Sequence, residues 1–74
     1  MNIEEVARAF LLEYNGYEYY DKVNLDFCNS IILSIVKDPN YDCSEVKQYL
    51  FENGYINIIG NNSVSLTPKG INYV

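Results

Sequence analysis

The chain has 74 residues, of which ten are acidic and five basic, for a net charge of −5; eight are tyrosines and none is histidine. A chain of this order forms one domain that buries only about 60% of the surface its unfolded form exposes, so its core is small and a bound partner or second copy would add stability. The charge balance repels a phosphate backbone and favours basic partners, the lack of histidine removes the usual acid–base and triad schemes, and no apolar run nears the roughly 20 residues of a membrane span.

From the N-terminus, Met1 to Glu5 lacks the basic region and apolar run of a secretory signal, so a cytoplasmic protein is expected. Ile3, Val6, Ala7, Phe10, Leu11 and Tyr14 then recur at i, i+3, i+4, i+7, i+8 and i+11, one apolar face of a helix over residues 3–14. Asn2 is placed to cap it, with Glu5 at the third position, and Asn15-Gly16 supplies a left-handed stop. Glu4, Glu5, Arg8 and Glu13 fall on the opposite face, which is therefore acidic.

Tyr17 to Tyr20 has the aromatic, alternating character of a short strand, with Asp21 and Lys22 turning the chain away. From Leu25, polar residues recur every three or four positions while Cys28, Ile31, Ile32, Ile35 and Val36 fill the gaps, the pattern of a deeply buried helix over 25–37. Asp38-Pro39 ends it, because the residue before proline is pushed out of helical geometry. Tyr41-Asp42-Cys43-Ser44-Glu45-Val46 is a compact start signal for a third helix over 43–53, which turns Cys43, Val46, Tyr49 and Leu50 inward and stops at Asn53-Gly54.

A hairpin follows over 55–67: strands Tyr55 to Ile59 and Ser63 to Thr67 around Gly60-Asn61-Asn62, with Ile56, Ile58, Val64 and Leu66 expected inward. Thr67-Pro68 reads as the cap and first position of a last turn carrying Ile71 and Val74. Cys28 and Cys43 have no Cys-x-x-Cys spacing, so they are expected to act as small hydrophobes, with no metal and no cofactor implied.

The order helix, short strand, helix, helix, strand, wing, strand resembles the winged helix-turn-helix superfamily. The residues that carry the likeness are Asn53-Gly54-Tyr55-Ile56 and Leu66-Thr67-Pro68-Lys69-Gly70, and the style is that of small winged-helix proteins of low-GC Gram-positive bacteria and their phages. The resemblance implies an α+β fold of three helices and a C-terminal β-hairpin wing, with room for a short strand between the first two helices. It also implies a third helix that enters the DNA major groove through Ser44, Lys47 and Gln48, with Asn61, Asn62 and Lys69 around the wing.

The charge departs from that pattern. Only Lys47 is cationic on the outward arc Ser44, Lys47, Gln48 and Phe51, and the single arginine, Arg8, lies on the first helix. The expected function is therefore a small acidic, non-catalytic regulatory or inhibitory protein, phage-derived and in the host cytoplasm, that binds a basic site on a nucleic-acid-handling protein. Its interaction residues are Phe51, Gln48, Lys47 and Ser44 together with Tyr17, Glu18, Tyr19, Tyr20 and Asp21, where carboxylates imitate phosphates and tyrosines add contact area. A homodimer is a further expectation, and a membrane is not. The alternative is a DNA-binding transcriptional regulator using Ser44, Lys47, Gln48, Asn61, Asn62 and Lys69.

Overall fold

In the computed structural model, which describes residues 2–15, 23–60 and 63–73, the first helix, α1, spans Ile3–Asn15. Asn2 sets its start: the Asn2 Oδ1 accepts the Glu5 backbone N–H at 2.8 Å, satisfying one of the donors that a first turn leaves unpaired. Val6, Ala7, Phe10, Leu11 and Tyr14 are buried as their spacing requires, while Glu4, Glu5, Arg8 and Glu13 face outward. The strand expected at Tyr17 to Tyr20, the stop at Gly16 and Val74 lie outside the described residues.

A two-residue strand, β1 (Val23–Asn24), leads directly into α2 (Leu25–Val36). The expectation of a deeply buried second helix holds for one stripe only: Cys28, Ile31 and Ile32 are buried, but Phe27, Leu33, Ile35 and Val36 are half-buried. In a domain this small a helix has neighbours on one side, so a broad apolar surface cannot be covered all round. α2 also stops one residue early. Lys37 still donates to the Leu33 carbonyl at 2.7 Å but has φ 61°, the left-handed geometry that terminates a helix.

Residues 37–42 then turn the chain. Asp38 holds the turn through both its oxygens, the side chain accepting from Asn40 N–H at 3.0 Å and the carbonyl from Tyr41 N–H at 3.1 Å. α3 runs Cys43–Glu52 from its Asp42 cap, whose carboxylate accepts the Ser44 N–H at 3.0 Å. It buries Cys43, Val46 and Leu50 and leaves Tyr49 half-buried. At its end Gly54 takes φ 76°, with Tyr55 N–H bonded to the Leu50 carbonyl at 2.9 Å and Gly54 N–H to the Phe51 carbonyl at 3.1 Å. That is the paired closure of a Schellman motif, and the Asn-Gly signal is the reason for it.

β2 (Ile56–Ile59) and β3 (Ser63–Leu66) form the expected antiparallel hairpin, and β1 adds to the far side of β3, giving a three-stranded sheet of order β1-β3-β2. Val23 pairs with Val64, and Ile56 with Leu66. The inner face of the hairpin carries Ile56, Val64 and Leu66 into the core as expected. Ile58 is the exception: it shares that face but is 40% exposed, because it lies on the outer strand β2, whereas Val64 opposite it on the middle strand is fully covered.

Thr67 caps a last turn, α4 (Pro68–Ile71). Two short segments meet here. Thr67 N–H donates to the Tyr55 carbonyl at 3.0 Å, the Thr67 hydroxyl donates to the Gly54 carbonyl and accepts the Gly70 N–H at 3.1 Å, and the Lys69 Nζ donates to the Asn53 carbonyl at 2.8 Å. Tyr55 receives Lys69 over its ring at 4.6 Å and stacks edge-on to Tyr73 at 5.4 Å. The Asn-Gly-Tyr and Thr-Pro-Lys-Gly runs thus form a clasp between the end of α3 and the base of the hairpin. α1 packs on α2 and α3, and the core they share with the sheet contains no buried polar or charged residue among those described. The architecture is α+β, three helices followed by an antiparallel hairpin, an order compatible with a winged-helix-like fold.

Candidate functional site

The outward arc of α3 is where a 100° step per residue puts it. Ser44, Gln48 and Phe51 are exposed, and Phe51 presents 46% of its surface. Lys47, the fourth member, is half-buried, and its charge acts on the Cys28 and Cys43 thiols and on Asp42. The one cation of the arc is therefore partly covered.

Beside this arc lies an open groove of about 830 Å³ between the N-terminus of α1 and α3, walled by Glu4, Tyr41, Glu45, Gln48, Tyr49 and Glu52. Glu45, Gln48, Tyr49 and Glu52 fall at i, i+3, i+4 and i+7 and so share one helix face. Gln48 Nε2 donates to the Glu52 Oε1 at 2.8 Å, which holds that carboxylate at the groove wall. Desolvation, then the negative charge of Glu4, raises the Tyr49 phenol above its ordinary value, so it remains an O–H donor at any ordinary pH. The groove thus offers three carboxylates and two tyrosine rings in one concave surface.

The residues assigned to DNA contact are arranged differently. Ser44 shares the Asp42 carboxylate through both its N–H and its hydroxyl. Lys69 is engaged in the clasp, on the Asn53 carbonyl and the Tyr55 ring. Asn61 and Asn62, and the cluster Tyr17, Glu18, Tyr19, Tyr20 and Asp21, lie outside the described residues. Of the interaction residues named from sequence, Ser44, Lys47, Gln48 and Phe51 come together on one helix. Glu4, Tyr41, Glu45, Tyr49 and Glu52 were missed, and the i, i+3, i+4, i+7 spacing within α3 could have found three of them.

Neither cysteine is poised for chemistry. Burial pushes the Cys28 thiol up to about 11, against the opposing pull of Lys47, and burial raises Cys43 as well. Cys43 Sγ lies 3.9 Å from the Asn29 carbonyl and 3.8 Å from the Tyr41 carbonyl, contacts a protonated thiol can make. Among the described residues no three Cys, Asp or Glu side chains gather into a metal-holding group, and no helix is long and apolar enough to cross a membrane. Comparison of the chain with known protein families, with curated proteins and with solved structures returned no match.

Proposed function

We propose that this chain is a non-catalytic binding protein that uses a winged-helix scaffold of the bacterial and phage kind to dock on a basic site of a nucleic-acid-handling protein in the cytoplasm. The observation that carries the reading is the character of the α1/α3 surface. Beside the arc that a DNA-binding relative would lay on DNA, this chain presents Glu4, Glu45 and Glu52 around two tyrosines, and the arc itself carries a single, half-buried cation, Lys47. Carboxylates held in a concave surface suit arginine and lysine side chains, and the adjacent tyrosine faces can stack on guanidinium groups. Phe51, exposed on the same helix, supplies the aromatic anchor that interfaces commonly place at their centre.

The second reading, a DNA-binding transcriptional regulator, is favoured by one observation: Ser44 and Gln48 are exposed on the third helix. Capture of the partner from the encoding organism, followed by titration with wild type and with Glu45→Gln/Glu52→Gln, separates the two. A partner that binds the wild type and loses about tenfold or more in affinity for the double variant supports the proposal. Sub-micromolar, steeply salt-sensitive binding to random duplex DNA would transfer the case to the regulator.

A further inference from the structure

Asn53-Gly54 is one of two Asn-Gly pairs in the sequence, the other being Asn15-Gly16. An asparagine before glycine is chemically labile: with no Cβ on the glycine, its backbone nitrogen can reach the asparagine Cγ with little hindrance. Asn53 and Gly54 are both exposed to water, yet the clasp engages each group that this reaction has to move. Asn53 Nδ2 donates to the Tyr49 carbonyl at 2.8 Å, which ties the side-chain amide to the preceding turn of α3. Gly54 N–H, whose nitrogen would attack, donates to the Phe51 carbonyl at 3.1 Å. The Asn53 carbonyl accepts the Lys69 ammonium at 2.8 Å, and the Gly54 carbonyl accepts the Thr67 hydroxyl, so the backbone on both sides of the attacking nitrogen is fixed from α4.

We infer that Asn53 is a site of spontaneous deamidation whose rate is set by opening of the clasp. When the closure opens, Gly54 N loses its proton to solvent and bonds to Asn53 Cγ, and the bond from Cγ to Nδ2 breaks with release of ammonia. Water then opens the resulting five-membered imide at either carbonyl, leaving an aspartyl or an isoaspartyl residue at position 53. One water is consumed and one ammonia released, with no oxidation or reduction. Opening and closing of a few hydrogen bonds is fast beside this chemistry, so the rate follows the population of the open form. The product has no Nδ2 donor for the Tyr49 carbonyl and sets a negative charge beside the last carbonyls of α3, the end of a helix that favours cations. The isoaspartyl form also carries one more methylene in the main chain where Gly54, at φ 76°, closes the helix. Deamidation therefore turns a passing opening of the clasp into a lasting one.

Mass spectrometry of proteolytic fragments, with the mass change assigned to residue 53, tests the inference on the folded chain and on a synthetic peptide of residues 51–58 at the same mildly alkaline pH. Asn53 should deamidate at least about tenfold more slowly in the folded chain than in the peptide. Thr67→Val, which removes the hydroxyl from the Gly54 carbonyl, should raise the rate in the folded chain about fivefold or more. Glu13→Gln, exposed on α1, should leave it unchanged. The deamidated fraction, separable by its added charge, should unfold at lower urea than the unmodified chain. Deamidation of the folded chain at the peptide's rate overturns the inference, as does a folded Thr67→Val chain no faster than wild type. An unaltered urea midpoint of the modified fraction overturns the claim that the opening is lasting. The comparison with the peptide needs no variant and decides the case even where Thr67→Val does not fold.

Discussion

A methyl group added at Gly70 would sit 2.2 Å from the Tyr55 carbonyl oxygen and 3.2 Å from Leu66 Cδ2. The carbonyl belongs to the backbone of the clasp and cannot swing aside, so Gly70→Ala should cost about 3 kcal/mol, read from the urea midpoint. Gly54→Ala meets open space but keeps the left-handed geometry of the α3 closure, and should cost only about 1–2 kcal/mol. Thr67→Val removes a hydroxyl that both donates to Gly54 and accepts from Gly70, and a loss of about 1–2 kcal/mol is expected from the vacated cap and bond. Phe51→Ala should behave in the opposite way. With nearly half its surface exposed, its truncation should leave stability within about 0.5 kcal/mol while weakening partner binding by about 2 kcal/mol or more. Denaturation midpoint and partner affinity, measured on the same variant, check both halves of that expectation.

At the level of elements, α3 carries an acid-sensitive start. The hydroxyl and N–H of Ser44 bond to the Asp42 carboxylate and hold its pKa below the ordinary value. A carboxylate depressed in the folded state contributes stability at pH above its unfolded pKa, and that contribution is lost as pH falls through the lower folded value. Between about pH 5 and pH 3 wild type should therefore lose more of its urea midpoint than Asp42→Asn, which retains an acceptor at the cap and has no charge to neutralise. The three helices were readable to within about a residue because caps and stops are local signals: Asn2, Asp42 and Asn53-Gly54 act on backbone groups within a turn. Strands depend on distant partners. Val23 and Asn24 form a strand because Val64 and Ser63 lie beside them, and nothing in a two-residue run announces that. Ile58 shows the same limit, since period-two alternation assigns a face but not how far the helical layer extends over it. In the candidate site, the exposure of Phe51 followed from helical rotation alone, whereas the approach of Glu4 to Glu45 and Glu52 depends on how α1 packs on α3.

For the whole molecule, charge acts locally. The domain measures 28 × 27 × 23 Å, and at physiological ionic strength charges are screened over about 8 Å, so an approaching partner senses one face at a time. Binding of a basic partner at the groove should weaken as salt rises, because its attraction to Glu4, Glu45 and Glu52 is screened. Titration of that binding from about 50 mM to 500 mM salt checks the dependence, and duplex DNA in the same series should bind no tighter than about 10⁻⁴ M at physiological salt. The clasp has a further consequence for what this fold tolerates. It ties the two ends of the hairpin at its base, through Tyr55, Gly54 and Thr67, so residues inserted between β2 and β3 should add only closure entropy. Each doubling of such a loop costs about 0.6 kcal/mol. A peptide grafted after Gly60 should leave the core intact, making the tip of the hairpin the natural place to attach an epitope or a new recognition segment.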